Sequence, residues 1–122
     1  MKVSILGDGL TSLTLAKSLV NQGVNVDIFS ERKTKKINKI QTIGISKANI
    51  DFFNKNILNI NKFLWKINKI EIYSENLQNE KVLNFENKKK LFSTIRNYEL
   101  LNFLKKELNK NKLFKSQLNI NL

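Results

Sequence analysis

The sequence predicts an α/β fold whose organising piece is a strand-helix-strand unit over residues 1–32, and three observations point there. Lys2 to Leu6 alternates around Val3 and Ile5 and runs into Gly7, the mark of a buried strand ending in a tight turn. From Leu10 to Gln22 the apolar residues Leu13, Ala16 and Val20 recur at helical spacing beside Leu15 and Leu19, and Gly23 stands where a left-handed helix cap belongs. Val24, Val26 and Ile28 then alternate with Asn25 and Asp27, so the period returns to two and a second strand follows. Strand, helix and strand in so short a stretch imply a right-handed parallel crossover.

Downstream, Glu31 to Lys39 reads as a charged loop, and Ser46 is placed to cap a helix whose Ile50, Phe53 and Ile57 share one face. Asn54 to Asn68 is rich in asparagine but carries Ile57, Leu58, Ile60, Phe63, Leu64 and Trp65, too apolar for a linker, and is expected to pack without a regular element. Ile70 and Ile72, then Leu83 and Phe85, alternate on either side of the polar stretch Ser74 to Glu80, which predicts an antiparallel hairpin inserted over residues 67–95. Leu91 to Ile95 is a further strand candidate. Asn97 is expected to cap a third helix, since Leu101, Leu104 and Leu108 follow with Leu100 and Phe103 widening the stripe. Leu118, Ile120 and Leu122 alternate like a final strand. Because parallel sheets need helices on both faces and this chain supplies few, the expectation is a partial domain over residues 1–122, cut short within an element.

Composition narrows the chemistry. The chain of 122 residues has no cysteine and no histidine, which excludes disulfides, thiolate catalysis and Ser-His or Cys-His relays. No apolar run reaches the roughly 20 residues a bilayer crossing requires, and Met1 leads directly into a strand, so the expected compartment is the cytoplasm. The formal net charge is +12, which at face value points to nucleic acid or an anionic membrane surface. Of the basic residues only Arg32 and Arg96 are arginine, whereas specific phosphate and base contacts favour the bidentate guanidinium. Lysine, asparagine and isoleucine are abundant while proline is absent, a bias that an A+T-rich genome imposes through its codons. No specific nucleic-acid partner is therefore expected; association with the periphery of an inner membrane stays open.

The chemistry-bearing segment is Gly7-Asp8-Gly9-Leu10-Thr11-Ser12, which matches the G-x-G-x-x-G pattern at its first two glycines and replaces the third by serine. Gly7 permits the sharp turn, and Gly9 lets a pyrophosphate approach the backbone at the start of the helix. The N–H groups of Leu10, Thr11 and Ser12 are then free to meet phosphate oxygens, helped by the positive end of the helix dipole. The third glycine serves helix–strand packing, where serine adds only a hydroxymethyl group. Strand before, amphipathic helix within and strand after supply the context that distinguishes a Rossmann-like dinucleotide site from a chance match.

With these residues in view, the sequence resembles the flavin-dependent aromatic hydroxylases of the para-hydroxybenzoate hydroxylase type, and most closely the branch that hydroxylates ubiquinone precursors. The resemblance rests on the turn at Gly7 to Ser12, the GVNVDIFSER strand, the QTIGISKANIDFF segment and the FSTIRNYELLNFLKKEL passage. It implies an FAD-binding fold in which NAD(P)H reduces the flavin and O₂ then serves hydroxylation of an aromatic substrate. The implied cofactor-binding residues are Gly7, Gly9, Leu10, Thr11, Ser12, Ser30, Glu31, Arg32 and Gln41. Three departures stand out. The ribose-binding acid of the family falls at Ser30, with Glu31 one residue later, and Glu31 can serve only if the strand end bulges. An arginine the family often places before the T-I-G segment is Gln41, which removes a charge-assisted contact. The later Gly-Asp motifs that close over the flavin are absent from these residues, so no catalytic residue and no metal ligand is assigned. Two other readings remain: an NAD(P)-binding module, and a basic non-enzymatic protein that binds nucleic acid or a membrane surface. A decayed gene product without activity is a third.

Overall fold

The computed structural model describes residues 1–31, 41–67, 69–73, 81–86 and 92–117. Strand β1 (Lys2–Leu6), helix α1 (Leu10–Asn21) and strand β2 (Asn25–Phe29) form the predicted unit, and β1 and β2 pair in parallel from Lys2 opposite Asn25 to Leu6 opposite Phe29. The helix ends as the sequence requires. Gly23 takes φ +81°, and the N–H groups of Gly23 and Val24 donate to the carbonyls of Val20 and Leu19, each at 3.0 Å, which is the Schellman closure.

Strand β3 (Thr42–Ser46) leads into helix α2 (Lys47–Asn56). Ser46 caps that helix as expected, its Oγ accepting from the Asn49 N–H at 3.2 Å. The apolar stretch that follows is more ordered than its pattern suggests, with a 3₁₀ turn (Asn61–Phe63) and strand β4 (Trp65–Ile67). Strands β5 (Lys69–Tyr73) and β6 (Lys81–Glu86) pair antiparallel, with Ile70 opposite Phe85 and Ile72 opposite Leu83. Strand β7 (Phe92–Arg96) lies antiparallel between β3 and β4, so the T-I-G segment is a strand that the sequence pattern did not single out. Helix α3 (Asn97–Asn109) then feeds strand β8 (Phe114–Gln117). That last strand precedes the alternation at Leu118, Ile120 and Leu122, which lies outside the described residues, as do the loop after Glu31 and the stretch Ser74 to Glu80.

Asn97 is not the cap of α3. The cap position is Arg96, with no side-chain cap bond, and Asn97 is the first helical residue. The reason is that the β3–β7 ladder runs straight into the helix: the Asn97 N–H donates to the Gln41 carbonyl at 3.0 Å, one step beyond the Thr42–Arg96 pair. An N–H otherwise orphaned at a helix start is thus satisfied by the neighbouring strand.

The described strands form a parallel sheet in the order β1-β2-β8, an antiparallel sheet β3-β7-β4, and the antiparallel β5-β6 pair. Helices α1 and α3 pack on each other. Leu13, Ala16 and Val20 from α1 meet Leu100, Leu104 and Leu108 from α3 in one buried cluster with Ile5, Val26 and Ile28 of the sheet. Asp27 is buried on the pleat opposite Val26 and Ile28, where its carboxylate pairs with Lys2 Nζ at 2.8 Å. Among the described residues no helix is long and apolar enough to cross a membrane.

Leu104 is fully buried and Leu15 is 49% exposed on α1. Leu104→Ala is expected to lower unfolding free energy by about 2–5 kcal/mol, and Leu15→Ala by no more than about 0.5 kcal/mol, as read by urea denaturation.

Candidate functional site

The site grows from the end of β1. Gly7 takes φ +107°, a conformation that side chains rarely adopt, and its N–H donates to the Phe29 carbonyl at 2.7 Å. That bond ties the turn to the end of β2 and aims the chain away from the sheet into α1. A methyl group on Gly7 would stand 3.5 Å from Ser12 Oγ, so serine in place of the third glycine lies in ordinary contact with the turn.

Gly9 is the cap residue of α1, with extended backbone at φ −74° and ψ 178° and no side-chain cap bond. The first intrahelical bond runs from the Leu13 N–H to the Gly9 carbonyl at 3.0 Å, which leaves the N–H groups of Leu10, Thr11 and Ser12 outside the helical ladder. A Cβ built on Gly9 would meet nothing within 4 Å, and no acidic residue sits in the first turn. Three aligned donors, the positive end of a 12-residue helix dipole and open space above the glycine make a cradle for an anion.

Beside this cradle the end of β2 holds Ser30, 2% exposed, whose Oγ is buried without a hydrogen-bond partner. An unpaired buried hydroxyl costs about 1–3 kcal/mol, which a polar group supplied by a ligand would offset. Glu31 is exposed. The two ladders of β2 run without a shift, Leu6 opposite Phe29 and Phe29 opposite Gln117, and the Ser30 N–H continues to the Gln117 carbonyl at 3.1 Å. The strand end does not bulge as far as Ser30, so the condition under which Glu31 could turn into the ribose position is not met there. Arg32 lies outside the described residues.

Gln41 belongs to another part of the molecule, at the start of β3 against α3. Its Oε1 accepts from Asn97 Nδ2 at 3.3 Å. Nearby, the Arg96 guanidinium lies 5.7 Å from the Trp65 ring centroid and 3.8 Å from the Glu99 carboxylate. The fold therefore brings Gly7, Gly9, Leu10, Thr11, Ser12 and Ser30 together at the carboxyl edge of the parallel sheet. Gln41 joins a separate polar cluster with Asn97, a neighbour that the sequence could reveal only through the β3–β7 pairing.

These features define the class as a mixed α/β fold in which a glycine turn leads from a parallel sheet into a helix. Solved structures share this fold. The p-nitrophenol 4-monooxygenase PnpA from Pseudomonas putida DLL-E4 superposes with a TM-score of 0.77 at 13% identity, over 97% of this chain and 32% of that one. PqsL, a probable FAD-dependent monooxygenase from Pseudomonas aeruginosa, gives 0.77 at 15% identity over 97% and 32%. HpxO from Klebsiella pneumoniae, solved with FAD and uric acid, gives 0.71 at 14% identity over 95% and 30%. The chain thus spans about a third of the length of these structures. No protein-family model matches the sequence, and no characterised protein matches it by sequence comparison.

The two glycines do different work and should separate experimentally. Gly7→Ala is expected to cost about 1–3 kcal/mol of stability through strain at a positive φ. Gly9→Val, at an extended cap position with free space, should cost no more than about 1 kcal/mol through the poorer cap while filling the cradle and abolishing nucleotide binding in calorimetry.

Proposed function

We propose that this chain is the N-terminal FAD-holding portion of a flavin-dependent monooxygenase whose substrate is an aromatic ring of the ubiquinone-precursor type, and that alone it holds cofactor without hydroxylating anything. The observation that carries this reading is the cradle itself: three N–H groups at the start of α1 that lie outside the helical ladder, beside a Gly9 whose Cβ position is open. The buried, unpartnered Ser30 hydroxyl beside it supports the placement of an adenosine ribose. Leu10, Thr11 and Ser12 would bind the pyrophosphate through their backbone, Gly7 would hold the turn, and Ser30 would orient the ribose. Gln41 would contact the cofactor from the second sheet. When bound, the flavin supplies reduction by NAD(P)H and activation of O₂; the protein's part in such chemistry is binding, orientation and electrostatics.

The lysine surplus, which gives a net charge of +12, is a second source of affinity for anions and sets the control. Contacts made by exposed lysines weaken steeply with salt, whereas a backbone cradle next to packed structure is screened less. Calorimetric titration with FAD should show saturable binding with Kd below about 100 μM, equivalent to roughly 5.5 kcal/mol, retained at raised salt and competed weakly by NADH. No heat of binding at high micromolar FAD would remove the cofactor role. Affinity that collapses with salt would favour the basic-surface reading.

A further inference from the structure

The end of β2 carries a consequence for which nucleotides the cradle accepts. In dinucleotide sites an acidic residue at the end of the second strand accepts hydrogen bonds from the ribose 2′-hydroxyl, and a positive residue instead accommodates a 2′-phosphate. A carboxylate so placed rejects a 2′-phosphate by like charge. Here that place holds Ser30, since both β2 ladders keep register through Phe29 and the Ser30 N–H extends the pairing to Gln117 at 3.1 Å. The next residue, Glu31, lies beyond the ladder and is exposed. Ser30 is 2% exposed and its Oγ has no partner. A hydroxyl is both donor and acceptor, whereas an ionised carboxylate only accepts. It can therefore receive a ribose hydroxyl or donate to a phosphate oxygen. The other carboxylate buried in β2, Asp27, is already neutralised by Lys2 at 2.8 Å, and no acid occupies the first turn of α1.

Building on the cofactor-holding reading above, we propose that Ser30 is the ribose contact and that this neutral contact leaves the site open to adenine nucleotides with a 2′-phosphate as well as those without one. The site selects for a pyrophosphate and an adenosine and is indifferent to the 2′ position.

The test compares ADP-ribose with 2′-phospho-ADP-ribose, which share the pyrophosphate and differ at one group, by calorimetry on the full chain with FAD as the reference ligand. The wild-type protein should bind the two with Kd values within about tenfold of each other. Ser30→Glu should weaken the 2′-phosphorylated ligand by more than about tenfold relative to the other. Ser30→Ala, which adds no bulk and guards against a fold defect in the glutamate variant, should weaken both severalfold, and Glu31→Gln should leave their ratio unchanged. A wild-type preference for ADP-ribose beyond about tenfold with FAD still bound, an unaltered Ser30→Ala, or a ratio that moves with Glu31→Gln would each overturn the assignment while leaving the cofactor reading intact. Failure of the wild-type protein to bind any of the three ligands would overturn the cofactor reading and this inference with it.

Discussion

Two parallel neighbours cannot be joined by a tight hairpin, so a chain that pairs β1, β2 and β8 in parallel must cross the sheet twice. Helix α1 makes the first crossing and α3 completes the second. Since such crossings share one hand, both helices come to the same face and pack on each other, which is why Leu104 and Leu108 are as buried as Val26. The same constraint lines up the carboxyl ends of the strands, Leu6 level with Phe29 and Phe29 level with Gln117. The cradle and the proposed ribose position follow from that level edge. The Gly7 turn, the free N–H groups of α1 and the Ser30 hydroxyl meet there because parallel strands end side by side, without a designed contact among their side chains.

That edge was legible in the sequence because its signals are local. A change of period from two to 3.6 and back, punctuated at Gly7 and Gly23, needs no knowledge of partners. The stripe of Leu100, Leu104 and Leu108 on α3 and the alternation of Ile70, Ile72, Leu83 and Phe85 in β5 and β6 were legible for the same reason. The second sheet was not. Thr-Ile-Gly-Ile-Ser is short and interrupted by glycine, and it becomes a strand because β7 pairs with it. Gln41 and Asn97 are 56 positions apart, and neither residue alone announces the bond between them. β4 is three residues long and exists only in the register that β7 imposes. Where local pattern and pairing disagreed, at Asn97, the pairing decided.

The asparagine surplus acquires a structural account from the same comparison. The asparagine-rich segment, expected to pack, uses its amides to close the region after α2. Asn54 Oδ1 accepts from the Ile60 N–H at 2.9 Å while its Nδ2 donates to Asn61 Oδ1 at 2.8 Å. Asn21 on α1 reaches across to donate to the carbonyls of Asn56 and Ile57 at 3.0 and 2.9 Å, satisfying groups that the end of α2 leaves open. Composition bias sets which residues are abundant; the packed positions of Ile57 and Ile60 determine which amides become structural.

Such a bias bears very unequally on the two halves of the proposed site. The cradle is made of backbone N–H groups and of two missing side chains, so it makes almost no demand on residue identity beyond Gly7 and Gly9. A chain can drift toward lysine, asparagine and isoleucine and keep it, provided the β1-α1 turn is still pinned by the Gly7 bond to Phe29 at 2.7 Å. The ribose position is different, because there a side chain does the discriminating and a single change from carboxylate to hydroxyl alters the charge a ligand meets. In the proposed site, affinity for a pyrophosphate would therefore be a property of the fold, and selectivity at the ribose a property of one residue. In this chain that residue is buried, neutral and without a partner of its own.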